Sequence, residues 1–336
     1  MKVLSNYSLK AHNTFGMDVK CDHFVLIEHV EDIRSAVRDE LLQENWYILG
    51  GGSNVLFTHD YKGTILHPTF KGIETVDENE DGALLRVAAG EVWEDFTHYC
   101  LQHQLCGVEN LTGIPGYVGS APVQNIGAYG AEVKDCIDHV EGIYLDTLQD
   151  FSLSNEACQF GYRDSIFKNS LKGKCFITFV YFRLSKKGQF NLTYKALSSA
   201  LEAAGLTPSL ENISHTVVAV RNSKLPDITK IGCAGSFFKN PIVPKAQYQD
   251  LLERIPDLVS YPVDEEHVKL AAGQLIDKSG WKGKQLGNAG IYAKQALVVV
   301  NLGGATPDEV CHVYQQVIQD VQNLFGIQLH PEVNIL

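Results

Sequence analysis

What this chain lacks narrows its reading at once. It has no apolar run near the roughly 20 residues that a membrane-spanning helix needs. Its first residues, Met1-Lys2-Val3-Leu4-Ser5-Asn6-Tyr7, turn polar before the apolar stretch of a secretion signal could form. Its eight cysteines include no Cys-x-x-Cys pair, so neither a disulfide framework nor a zinc site is expected. Basic residues are scarce: 28 Lys+Arg against 40 Asp+Glu give a formal net charge of −12. That argues against a general nucleic-acid binder, while a local cationic cluster still suits an anionic small molecule. There is no Walker loop, no complete Gly-x-Gly-x-x-Gly and no Gly-x-Ser-x-Gly. The expectation is a soluble, cytoplasmic protein whose 336 residues form two or three domains.

Strands and helices mix irregularly, the pattern of an α+β chain rather than a βαβ series. Ile33, Val37, Leu41 and Leu42 share one face of a helix expected over 31–45. Further helices are expected at 92–104, 210–222, 244–254 and 269–279. Strands are expected at 46–49, 55–57, 84–89, 140–145, 176–184, 296–300 and 327–336. The clearest helix comes last. Thr306 can cap it, Pro307 suits its first position and Glu309 completes a capping box. Val310, Val313, Val317, Val321 and Leu324 make its apolar stripe, and Gly326 suits its end. Composition shifts at Ser185-Lys186-Lys187-Gly188, an expected lobe boundary.

Several segments can carry chemistry. In Leu49-Gly50-Gly51-Gly52-Ser53-Asn54-Val55-Leu56, glycines between apolar runs let backbone N–H groups approach phosphate oxygens. A tight strand-to-strand turn has the same local look. The stretch from Gly113 to Gly130 sets five glycines among prolines, tyrosines and the amide pair Gln124-Asn125. It reads as an ordered loop around a flat, phosphate-bearing ligand, or as filler between lobes, and not as a flexible linker. Gly161-Tyr162-Arg163-Asp164-Ser165-Ile166-Phe167-Lys168 offers an arginine fork for a carboxylate, unless Arg163 simply pairs with Asp164. Gly235-Ser236-Phe237-Phe238-Lys239-Asn240-Pro241 carries a hydroxyl able to donate a proton. Locally, a turn serine is the commoner meaning of that pattern. Glu332, in His330-Pro331-Glu332-Val333, is on its own an ordinary tail carboxylate.

Together, and in this order, these segments resemble the bacterial UDP-N-acetylenolpyruvoylglucosamine reductase family. The likeness runs from Asn13-Thr14-Phe15-Gly16 to Pro331-Glu332-Val333, through Gln124-Asn125-Ile126-Gly127-Ala128-Tyr129-Gly130 and Lys224-Leu225-Pro226. The resemblance implies an α+β fold with a two-lobed FAD-binding domain of the vanillyl-alcohol-oxidase (PCMH) type over 1–187, its lobes at 1–67 and 68–187. A connecting segment with a tyrosine loop would follow over 188–218. A substrate-binding C-terminal domain would cover 219–336, its tail returning to the flavin.

The resemblance also implies site residues. Non-covalent FAD would be held by Gly50, Gly51, Gly52, Ser53, Asn54, Val55, Pro115, Gly116, Gly119, Ser120, Asn125, Gly127 and Ala128. Arg163, Ser236 and Glu332 would be catalytic. Tyr129, Tyr162, Arg163, Tyr194, Lys224, Asn240 and Gln295 would contact the UDP-sugar substrate. NADPH would reduce FAD, hydride would pass from flavin N5 to C3 of the enolpyruvyl group, and Ser236 would protonate C2. Arg163, with Glu332 beside it, would stabilise charge on the carboxylate. The product, UDP-N-acetylmuramate, feeds peptidoglycan synthesis. Lys224 and Lys239 would supply local positive charge for the anionic substrate. Lys294 stands where the family often has arginine, and a lysine cannot make the bidentate contact. A monomer without metal, nucleic-acid or membrane partners is expected. A flavin oxidase on the same fold and a non-catalytic nucleotide-binding protein are the alternatives.

Overall fold

The apolar run 176–184 becomes the strand Cys175–Ser185, and its near-continuous burial sets it at the middle of a five-stranded antiparallel sheet. The order across that sheet is Asp150–Ser154, Ile137–Tyr144, Cys175–Ser185, Gly82–Ala88, Ile73–Glu78. Val180 lies opposite Val140 on one side and Val87 on the other. The helix Trp93–Gln102 lays Trp93, Phe96 and Cys100 into the same core. Phe96 and Phe182 meet there with centroids 4.5 Å apart. Each such buried large side chain contributes about 1.5–3 kcal/mol.

The computed structural model describes residues 1–43 and 45–336. They divide into one unit of 1–7, 21–51 and 62–222 and another of 8–20, 52–61 and 223–336. Along the second half of the chain the boundary between the two units falls at Asn222/Ser223. The reason is a small core in which Leu197, Leu201, Ile213 and Val217, from the helices Lys195–Ala203 and Leu210–Lys224, pack with Tyr129, Phe190 and Leu192. The first unit also holds a four-stranded sheet in the order Lys2–Ser8, Lys20–Ile27, Tyr61–Pro68, Trp46–Ile48.

The second unit contains two three-stranded sheets, Ile242–Pro244/His267–Leu270/Ser260–Pro262 and Gln285–Leu286/Ala289–Ile291/Val299–Asn301. The helix Pro307–Phe325 packs on the second of these. Thr306 Oγ1 accepts from the Glu309 amide and the Glu309 carboxylate accepts from the Thr306 amide, as the capping box requires. Gly326 ends the helix at φ +69°. Among the described residues, no helix is long and apolar enough to cross a membrane.

Some expected elements change. The helix expected over 31–45 is Val30–Arg38, because Glu40 turns the chain out at φ +58°. Leu41 and Leu42 still reach the core from the turn that follows, and Glu44 lies outside the described residues. The helix expected over 269–279 begins only at Ala272, since Lys269 and Leu270 belong to the strand His267–Leu270. The strand expected over 296–300 is reduced to Val299–Asn301, the residues that face Ala289–Ile291. That expected over 327–336 is reduced to Asn334–Ile335, because its partner Val55–Leu56 is just as short. Leu324 drops out of the buried stripe at 45 % exposure, and Tyr314 joins it.

Candidate active site

In the first unit the two glycine loops meet backbone to backbone. A Cβ on Gly51 would stand 3.0 Å from the Gly116 Cα, and one on Gly50 would stand 3.3 Å from the Tyr117 Cβ. A side chain at Gly51 would require the second loop to give way by a few tenths of an ångström. Bare backbone on both loops is what a diphosphate-bearing cofactor needs, because amides rather than side chains then meet its oxygens. Gly119 N–H donates to Ala89 O and Ser120 Oγ to Tyr117 O, so the second loop is tied both to the end of the strand Gly82–Ala88 and to itself. Pro115 precedes the contact, and Gly127-Ala128 pairs with Ala131-Glu132 around a two-residue turn. Both turn residues, Tyr129 at φ +50° and Gly130 at φ +86°, are left-handed, as a type I′ hairpin turn demands.

Three non-glycine residues here hold left-handed backbone: Asn125 (φ +46°), Tyr129 (φ +50°) and Arg163 (φ +54°). Such strain persists where surrounding bonds impose it. The buried carboxamide of Asn125 donates to Gly161 O and to Glu132 Oε2, both at 2.9 Å, and accepts from the Lys134 amide at 3.1 Å. The Asn125 side chain is thus a strut between the second glycine loop and the arginine turn. Gly161 and Asp164 bond to each other through both backbone groups, which leaves Tyr162 and Arg163 at a tight tip. Arg163 Nη2 donates to Gly127 O at 2.6 Å, and a Cβ on Gly127 would sit 2.9 Å from Nη1. The guanidinium also lies 5.5 Å from the Tyr162 ring. Asp164 accepts from the Ser165 amide and Asn169 Nδ2, so it serves the turn.

Tyr194 meets Tyr129 edge to face, with centroids 5.4 Å apart. Burial lifts the Tyr129 phenol above its usual range, against the pull of Arg221. Arg221 was not singled out from sequence. It donates from Nε to Gly113 O at 3.1 Å, and burial lowers its pKa. Nothing in its local pattern marks it; only the folding of its helix beside the loop does.

In the second unit, Ser236 is exposed on a segment that runs beside the C-terminal stretch. Phe237 O accepts from the Glu332 amide at 2.7 Å, and His330 O accepts from the Lys239 amide at 2.9 Å. Phe237 stacks on Tyr314 with centroids 4.9 Å apart, which anchors the segment. The residues around Ser236 and Glu332 are thus neighbours in space. Asn54 joins them: its carbonyl accepts from the amide and Nδ2 of Asn334, and its Nδ2 reaches Glu332 O at 3.5 Å. Gly52 O accepts from the Thr14 amide, and Val55 is buried in the short strand paired with the tail. Ser53 lies half-buried between them. Asn240 Oδ1 accepts from the Ala272 amide at 3.0 Å, leaving its NH₂ as the donor end. Gln295 closes a turn with Tyr292 and is half-buried, whereas Lys294 beside it is exposed. Lys224, half-buried, ends the helix Leu210–Lys224.

Residues 21–147 match the FAD binding domain, and residues 227–336 match the C-terminal domain of UDP-N-acetylenolpyruvoylglucosamine reductase. With an α+β fold and two bare glycine loops, the chain is an FAD-binding protein. It is 45 % identical to the UDP-N-acetylenolpyruvoylglucosamine reductase of Bacteroides fragilis (strain YCH46), over 98 % of this chain and 99 % of that one. It is 40 % identical to the protein of the same name from Flavobacterium johnsoniae over the whole of both. The chain belongs to the UDP-N-acetylenolpyruvoylglucosamine reductase family. A crystal structure of the reductase from Thermus caldophilus shares the fold at a TM-score of 0.68 and 22 % identity, over 99 % of this chain and 98 % of that one.

Proposed function

We propose that this chain catalyses the NADPH-dependent reduction of enolpyruvyl-UDP-N-acetylglucosamine to UDP-N-acetylmuramate, a step of peptidoglycan precursor synthesis, with FAD as its cofactor. The first unit is the FAD-binding part, with Gly50, Gly51, Gly116, Gly119 and Ser120 lining the cradle and Ser53 and Asn54 following it. The second carries substrate-binding residues Lys224, Asn240 and Gln295. When bound, FAD supplies the hydride, taken from NADPH and delivered to C3 of the enolpyruvyl group.

The chain's own residues do the rest. Arg163 holds the substrate carboxylate and stabilises the charge that develops on it. Its forked guanidinium suits a planar anion, and the strained turn pre-sets its direction. The Ser236 hydroxyl gives its proton to C2, and Glu332 serves as the acidic group beside it. Tyr129, Tyr162 and Tyr194 form an aromatic border for the sugar nucleotide. The observation that carries the Ser236 assignment is the backbone bond from Glu332 to Phe237, which keeps the acid and the hydroxyl on adjoining segments.

The test is a purified Ser236→Ala variant. Flavin bleaching by NADPH is expected to match wild type in stopped flow. Steady-state NADPH oxidation with the enolpyruvyl sugar should fall by about 10²–10⁴-fold, the contribution of a general acid. Near-normal turnover would remove Ser236 from the mechanism. Rapid O₂ consumption by wild type with a simple alcohol as electron donor would favour an oxidase.

A further inference from the structure

The first glycine loop begins where a parallel ladder runs out of donors. The strand Trp46–Ile48 pairs with Tyr61–Pro68, with Ile48 opposite Leu66. Leu49 N–H extends the ladder by donating to Leu66 O at 2.9 Å. The next bond of a parallel ladder runs back from the residue two places after Leu66 to the Leu49 carbonyl. That residue is Pro68, which has no N–H to give.

His67 makes the missing bond with its side chain: Nδ1 lies 2.7 Å from Leu49 O. A carbonyl only accepts, so Nδ1 carries the proton. The ring is 5 % exposed and sits between Phe24, at 5.2 Å, and Tyr117, at 5.6 Å. Tyr117 is the residue that Gly50 packs against. One imidazole therefore touches both loops, the first by a hydrogen bond to the carbonyl just before Gly50 and the second by ring contact.

We propose that His67 is a positioning residue for FAD. It holds Leu49–Gly51 against Gly116-Tyr117 and so orders the amides of the cradle before the cofactor arrives. The proposal rests on the reading that these loops bind FAD.

The experiment removes flavin from the holoenzyme and titrates FAD back by fluorescence quenching. His67→Phe keeps a ring without a donor, and its dissociation constant for FAD should rise by about tenfold, the equivalent of one lost buried hydrogen bond. His67→Gln keeps a donor and should stay within about threefold of wild type. Adding Pro68→Ala to His67→Phe returns a backbone N–H to the ladder and should recover most of the loss, which a merely space-filling role for His67 would not allow. Turnover at saturating FAD should stay near wild type in each variant. Unchanged affinity in His67→Phe, a tenfold loss in His67→Gln, or no recovery in the double variant would overturn the proposal. If His67→Phe does not fold, the His67→Gln arm still decides. A wild-type apoprotein that takes up no FAD would instead refute the assignment of the loops themselves.

Discussion

The backbone amide of Glu332 donates to the carbonyl of Phe237 at 2.7 Å. That bond sets the C-terminal stretch beside the residue that follows Ser236. Two residues further on, Asn334 bonds through both its amide and its side chain to Asn54 O. The position of Glu332 is thus held from both sides.

Asn334→Ala removes the side-chain half of that anchor, the Nδ2 bond of 3.0 Å. It should cost about 1 kcal/mol of stability and lower turnover several-fold, with FAD content unchanged. Urea unfolding and the flavin absorbance of the purified variant check both parts; full turnover would show that the tail needs no such anchor.

Asn125 combines strain with three hydrogen bonds to protein groups. Asn125→Ala should lose about 2–4 kcal/mol, since buried partners are left unsatisfied and alanine also dislikes φ +46°. Asn125→Gly relieves the backbone but not the bonds, so it should fall between wild type and alanine. Denaturant midpoints of the three proteins give the order, and an alanine variant as stable as the glycine variant would contradict it.

The cysteines should be inert in the folded chain. Burial pushes the Cys21 and Cys106 thiols up to about 11, and those of Cys158 and Cys175 up to about 12. A raised thiol pKa means less thiolate at a given pH, and thiolate is the nucleophile. At pH 8 a two-unit rise leaves about 100-fold less of it. Disulfide-exchange labelling at pH 8 should therefore be slow before guanidinium is added and should then count all eight thiols. Raising the pH toward 11 should speed the reaction of Cys21 and Cys106 before that of Cys158 and Cys175. Fast labelling of the native protein at pH 8 would contradict the burial.

Much of the fold was legible where its signal was local. The helix Pro307–Phe325 announced itself because a capping box and a 3.6-residue stripe lie within one segment. The strand Cys175–Ser185 did so through one continuous apolar run. The edge strands Lys2–Ser8 and Ile73–Glu78 did not, since their residues are mostly exposed and carry little pattern. The expected 31–45 helix over-ran because its apolar spacing continues past Glu40, while the backbone does not.

The sequence by itself singled out the segments proposed to carry the chemistry: the glycine loops, the arginine turn, the serine heptapeptide and the acidic tail. Their order was enough to indicate the family. Only the tertiary structure decided which of their groups meet. It made the Asn125 side chain a strut to Gly161, 36 residues away. It brought Glu332 to Phe237, and it brought His67 to the carbonyl that Pro68 cannot serve. A hydrogen bond between distant residues leaves no local periodicity or composition to read, because its partners become neighbours only when the strands and turns between them are in place.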